Sequence, residues 1–567
     1  MRFRWLALLG MSAAGLFSAA ATCPTSMAQE PKTLDTPGLE SSSKEGDEVV
    51  TVAIAPLDRL LPNINHVMRL VGAGAQGAIV NQAVNGYTSG LDRSRPIGAL
   101  VALGESGIPV SVAALPISDL EEFLQGLELF GEPEDLGEGL YSMTLGANTV
   151  FAQYSAPWLF VSSSEESLEE VSVEAADRLN ALSAKHDLLV EVNVQNIPDD
   201  LVDLITSNMR SGFEQTMQAQ SEEMTEEELE ATRASGEQMM ENMEEIFEST
   251  EKFVVGLAIR PKDKVVALDF GTLFVDGSRY AKQLSDLKNA KASLAGLIKD
   301  DSMMTLKTFG IVAQEDMAQV ENSLDTATKA AFKSIDESAK SSADAEKAKE
   351  YIKRLVKLIT ESGRQGQLEG AINVTTNPSL NIVAALSVAD GKQVEALAAD
   401  LAKDVGTSNT SIQVQLMTGK QGSVNLHKVA VTLPEEADDS ARKVWGDVVN
   451  ISIGTAPKAV YLAVGKNSDA ALKSAIDGVA ANPTSKAESV KMRLDLTQLL
   501  NFIQSIESNP VVDGMLSALS DDDDQIQIDS QVIERGAMNR LTIQEGVLKA
   551  ISGGVKAGMA AQGGGDF

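Results

Sequence analysis

The sequence predicts an α+β protein of two homologous modules, each an antiparallel sheet with helices packed on one face, with long helical insertions. Three observations predict it. Apolar segments alternate, as in LLVEVNV (188–194), where Val190, Val192 and Val194 share one face. Hairpins close each module: VVGLAIRPKDKVVALDF (254–270) and IQIDSQVIERGAMNRLTI (526–543) each read as two strands about a polar turn. The same elements also recur in the same order in both halves. Antiparallel pairing, with one face of each strand apolar, follows from the alternation.

The N-terminus reads as an export signal over residues 1–28. Arg2 and Arg4 form a basic start, WLALLGMSAAGLFSAAA is a short apolar run, and Ser26-Met27-Ala28 offers small residues for cleavage after Ala28. The weaker alternative is lipoprotein anchoring at Cys23. Ala20 and Thr22 stand there where a lipidation site wants a branched residue and a Gly or Ala. Cys23 is the single cysteine, so a chain beginning at Gln29 has no disulfide and no thiolate. Residues 29–48 are polar and rich in Pro, Ser and Glu, a disordered leader.

Module 1 spans 49–290 and module 2 spans 300–553. VSVAALPISDLEEFLQGLE (110–128) matches NIVAALSVADGKQVEALAADL (381–401), setting Ala114 against Ala385 and Asp119 against Asp390. SAPWLFVSSSEESLEEV (155–171) matches TAPKAVYLAVGKNSDAALKSAI (455–476), and the strand of Val192 matches that of Leu494. The closing hairpins set Leu268 against Leu541. Helical insertions are expected at about 201–250 and about 314–360. In the first, Thr225 and Glu228 read as a capping box, and Met239, Met240, Met243, Ile246 and Phe247 form a stripe at helical spacing. Glu237, Glu241, Glu244, Glu245 and Glu248 fill the rest of that helix, so the stripe is expected to dock on its own module. Residues 554–567 read as a flexible tail, because Gly this dense disfavours a helix.

Chemistry-bearing patterns are few. Gly72, Gly74 and Gly77 satisfy the spacing of a dinucleotide loop, but a helical pattern precedes them where that loop needs a strand. His66, His186 and His427 stand in three separate contexts, without metal-ligand spacing. Gly104-Glu105-Ser106-Gly107 leads into a strand, whereas a nucleophilic serine needs a following helix. Asp521, Asp522, Asp523 and Asp524 are consecutive, so their carboxylates diverge rather than form a calcium cage. The expectation is no catalytic residue, no cofactor and no metal. The formal charge of −34 excludes nucleic acid and anionic membrane surfaces as natural partners.

Signal segment, acidic low-aromatic chain and repeated modules around VSVAALPISDLEEFL and APWLFVSSSEESLEEV together resemble exported bacterial proteins of uncharacterised function. The resemblance implies a periplasmic or secreted location and an internal duplication, and carries no site residue. The expected role is a non-catalytic binding or scaffolding protein of the cell envelope. The alternative is a carrier of an apolar small molecule or lipid between sheet and helices. Met239, Met240, Met243, Phe247, Trp158 and Trp445 are the expected ligand or partner surface, since Met suits adaptable contacts and Trp suits a cleft rim.

Overall fold

The computed structural model describes residues 48–563 except 104–108, 129, 147, 170–172, 221–225, 315–316, 339–340, 409–410, 436 and 520–522. The export signal, Cys23, the leader up to Asp47, Ser106, Thr225, Asp521, Asp522 and residues 564–567 therefore lie outside the described residues.

The first half contributes β1 (Glu48–Ile54), β2 (Ile97–Leu103), β3 (Pro109–Pro116), β4 (Glu134–Gly137), β5 (Leu140–Leu145), β6 (Asn148–Ser155), β7 (Trp158–Ser162), β8 (Leu188–Asn193), β9 (Thr250–Arg260) and β10 (Val265–Phe274). A short β11 (Lys291–Ala292) leads into β12 (Met304–Ile311), β13 (Gln367–Thr375), β14 (Asn381–Ser387), β15 (Ile412–Gln421), β16 (Val424–Thr432), β17 (Val448–Thr455) and β18 (Ala459–Gly465). Then come β19 (Ser485–Lys486), β20 (Val490–Asp495), β21 (Gln525–Ile533) and β22 (Gly536–Gln544). β11 and β19 pair with each other, and the rest form one 20-stranded sheet.

All its pairings are antiparallel. From one edge to the junction the order is β4-β5-β6-β7-β3-β2-β1-β8-β9-β10. From the junction it continues β22-β21-β20-β12-β13-β14-β18-β17-β16-β15. Read outward from the β10–β22 contact, the second half repeats the strand order of the first. Ala114 lies opposite Gly98 and Phe160, as Ala385 lies opposite Ala371 and Tyr461. Val192 and Leu494 occupy the corresponding β8 and β20. Leu268 and Leu541 meet directly as cross-strand neighbours at the junction.

Helices cover both faces of this sheet, not one. On β7 the alternation is lost, since Trp158, Leu159 and Phe160 are all buried. Trp158 and Phe160 share a core with Ala176, Leu179 and Leu182 of the helix Val173–Ser183. Leu159 faces the other way, into a core with Phe123 of the helix Leu120–Leu127. A strand apolar on both sides needs a layer on each. In the second half Tyr461 and Ala463 pack with Leu472, Ala475 and Ile476 of Ser468–Ala481.

The helical insertions also read differently in three dimensions. Asp199–Gln220 and Glu226–Ser249 lie between β8 and β9, where the second half places the shorter Leu496–Ile506 and Pro510–Ala518. Met317–Ser338 and Ser342–Gly363 lie between β12 and β13, matching the shorter Leu57–Leu70 and Gly74–Tyr87 between β1 and β2. Each long segment is thus a helix pair at a place in the strand order where the other half also has a shorter helix pair.

The expected Gly-rich tail is a helix, Glu545–Gly563. Its glycines are spent on close approach rather than on freedom. A Cβ on Gly553 would sit 2.3 Å from the Gly514 carbonyl, and one on Gly514 would sit 2.7 Å from the Gly553 carbonyl. Backbone-to-backbone packing on Pro510–Ala518 thus overrides low helix propensity. The sheet edges are blunted in two ways. β4 is short, exposed and acidic, and β15 carries a register shift between Gln415 and Gly419.

Candidate functional site

One row of directly opposed residues crosses the inner face of the sheet, from Phe160 through Ala114, Gly98, Ala53, Leu189 and Gly256 to Asp269. It continues through Arg540, Asp529, Lys491 and Lys307 to Ala371, Ala385 and Tyr461. The flanks are uncharged, with small residues at Ala114, Gly98, Ala53, Ala371 and Ala385 and the larger Phe160, Leu189 and Tyr461 packed in the cores. The middle is charged, and the β10–β22 junction runs between Asp269 and Arg540.

Asp269 is 1% exposed and accepts two hydrogen bonds at 2.6 Å from Nε and Nη2 of Arg540. His186 Nε2 donates to its Oδ2 at 2.8 Å. Burial alone would push the Asp269 carboxyl up, but hydrogen bonds and charge from Arg540 and His186 outweigh it and hold the carboxyl below its ordinary value. Gly256 makes the room, because a Cβ there would meet the His186 ring at 2.5 Å. His186 Nδ1 finds no hydrogen-bond partner. With both side chains 1% exposed, the pair has the geometry of a base and its orienting acid but no open path to a substrate.

The neighbouring charges are less well matched. Burial pushes the Asp529 carboxyl above its ordinary value although Lys491 pulls it down, and its Oδ1 has no hydrogen-bond partner. Burial likewise lowers Lys491, against the pull of Glu488 and Asp529. Lys307 is satisfied by Glu488 at 2.6 Å, and Arg493 Nη2 donates to the Lys299 carbonyl at 3.2 Å. Charge alternates along the row from Asp269 to Lys491, and the Asp269–Arg540 pair bridges the two halves. The like-charged Lys491 and Lys307 then stand opposite each other, with Glu488 beside Lys307.

The three histidines are each engaged on separate elements. His66 pairs with Glu545, joining Leu57–Leu70 to the C-terminal helix. His427 is buried, which lowers its pKa despite the Glu395 charge. The Met417 N–H donates to its Nδ1 at 3.3 Å, so Nε2 carries the proton and donates to Thr455 Oγ1 at 3.0 Å. Thr455 in turn donates to Glu395 at 3.0 Å. Among the described residues, no group of three His, Cys, Asp or Glu side chains could hold a metal ion. Gly72 turns between two helices with φ +78°, and Gly77 packs on Asn65 and Met68. Asp523 pairs with Lys264, and Asp524 accepts the Thr497 N–H at 2.9 Å.

The residues expected to form a surface are not brought together. Trp158 is fully buried on the inner face and its Nε1 donates to Asp177 at 3.3 Å. Trp445 ends the helix Asp439–Trp445, half-buried against the cluster of Met303, Val374 and Leu380. It has no strand position corresponding to Trp158. On Glu226–Ser249, Met240 is buried, Met243 and Phe247 are half-buried, and Ile246 is 38% exposed. Nothing is described of the Met239 side chain. Gly236 sits against the Phe213 ring, so this helix rests on Asp199–Gln220.

Sequence reading passed over Tyr87 and Phe130, which flank a surface notch of about 160 Å³ with Gly86, Ser89, Phe123, Gly126 and Leu127. A signal was present, since Phe123, Gly126, Leu127 and Phe130 recur at one-face helical spacing. A second cleft, beside Lys307 and Glu369, holds only about 10 Å³. No family model, curated protein or solved structure matches the chain.

Proposed function

We propose that the chain is an exported, non-catalytic binding or scaffolding protein of the cell envelope, built from one module duplicated in tandem. The repeated strand order across the β10–β22 junction supports the duplication. The observation that carries a binding role is where apolar surface remains. The inner cores are filled by Trp158, Phe160, Leu179 and Leu472, while exposed apolar side chains gather on surface helices. Ile551, Val555 and Met559 recur every four residues along the C-terminal helix, 48%, 51% and 68% exposed. Leu204 and Ile205, adjacent on Asp199–Gln220, are 54% and 41% exposed. Exposed apolar groups in clusters favour protein contacts.

A lipid carrier needs an enclosed volume well above the 160 Å³ notch, since pockets for drug-sized molecules run about 300–1,000 Å³. No helix among the described residues is long and apolar enough to cross a membrane. Native mass spectrometry of the protein purified from its own envelope tests the reading. The expected mass begins at Gln29 and carries a protein partner. A chain beginning at lipid-bearing Cys23, or a stoichiometric lipid without protein, would overturn it.

A further inference from the structure

We propose that the notch between Gly74–Tyr87 and Leu120–Leu127 binds an arginine side chain presented by a basic segment of a partner protein. This surface rests on the reading of the chain as a binding protein and names the chemistry of what it binds.

The notch is built, not incidental. Gly90, with φ +75°, lies so close to the following helix that a Cβ would sit 2.4 Å from the Asp119 carbonyl and 2.5 Å from the Phe123 nitrogen. Its own carbonyl accepts the backbone N–H groups of Ser118 at 2.9 Å and Asp119 at 3.0 Å, and the Ser118 hydroxyl at 3.1 Å. Asp119 then caps the helix through the Glu122 N–H at 3.0 Å. This clamp holds Tyr87 and Phe130 with ring centroids 5.6 Å apart and planes tilted by 47°. Both rings stay open to solvent, 60% and 53% exposed, in a chain only 4% aromatic. Gly86 and Gly126 leave space where side chains would stand, as a Cβ on either meets nothing within 4 Å.

Charge selects the occupant. No Lys, Arg or His occurs between Arg95 and Arg178, and Glu121, Glu122, Glu128 and Glu132 are exposed along and just beyond the notch helix. Gly74–Tyr87 carries no charged residue. Arg93 on the connecting loop is already held by Asn85 at 2.8 Å, Thr88 at 3.1 Å and Asp58 at 3.3 Å. A pair of open aromatic faces in an acidic setting attracts a cation within about 6 Å of a ring centroid. Arginine suits it better than lysine, because a planar, weakly hydrated guanidinium stacks on rings. A volume of about 160 Å³ fits one long side chain and excludes a drug-sized ligand.

Fluorescence anisotropy of the full chain with a labelled seven-residue peptide of alternating Gly and Arg, at about 0.15 M salt, provides the test. Saturable binding is expected, weakened at least tenfold by the double variant Tyr87→Ala/Phe130→Ala and by Gly126→Leu, which fills the notch without removing a ring. The neutral citrulline version of the peptide should not bind. Equal affinity in wild type and double variant would mean diffuse attraction to an acidic surface and overturn the proposal. So would equal binding of the citrulline peptide, or no saturable binding. Self-association of the wild type that the double variant loses in sedimentation would assign the face to a second copy instead. A partner protein seen by native mass spectrometry would still support the binding role if the notch proposal failed.

Discussion

Asp269 shows how a single carboxylate can join two halves of a chain. It stands on β10, takes both hydrogen bonds from Arg540 on β22, and accepts a third from His186. Removing one partner of a buried charged pair leaves the other uncompensated, so Asp269→Asn should cost about 3–5 kcal/mol at pH 7 in urea unfolding. The folded carboxyl ionises below its unfolded value, so its contribution is complete above about pH 4 and is lost as pH falls through the lower folded value. The difference between wild type and Asp269→Asn should therefore shrink in acid, and a difference that grows there would contradict this role. Charged residues within alternating strands, as in VALDF and RLTI, were visible in sequence. Their mutual pairing was not, because register between strands about 270 residues apart is set only by the folded sheet.

At the level of elements, periodicity located the helices well and their surroundings poorly. The stripe on Glu226–Ser249 illustrates this. Met240 is buried at 5% exposure, while Met243, one turn on, is half-buried. Met240→Ala should then cost about 2–5 kcal/mol, as for a buried Met. Met243→Ala should cost about 1 kcal/mol, nearer the average for point substitutions. Equal urea midpoints for the two variants would mean that the helix sits differently on Asp199–Gln220. The C-terminal helix teaches the converse. Its glycines lower intrinsic propensity, and the helix is held by tertiary contact, Gly553 close against Gly514 and Val547 and Ala550 buried with Leu500 and Val512. Sequence carries the glycines but not the surface they approach.

On the scale of the whole molecule, the continuous sheet implies that the halves unfold together. The β10–β22 junction pairs Val265 through Leu273 with Gln544 through Gly536, as extensive as a pairing within either half. Trp158 reports on the first half and Trp445 on the second. With Trp5 replaced by Phe, each of the single-tryptophan variants Trp158→Phe and Trp445→Phe should show a fluorescence midpoint in urea that coincides with its own far-UV circular-dichroism midpoint, the usual mark of one cooperative transition. Clearly separated midpoints would mean that each half is a stability unit of its own.

Local physics written along the chain determined the α+β class, the alternating strands, the closing hairpins, and the helix starts at Asp119 and Asp390. Those features depend on neighbours a few residues away, so composition and spacing are enough to specify them. Tertiary structure alone decided that helices cover both faces, that Trp158 is core, and that Asp269 meets Arg540. It also brought Tyr87 and Phe130 to one notch, through a glycine whose close approach to the next helix leaves no space for a side chain. Such contacts join segments far apart in sequence, and only the packed chain brings them within reach.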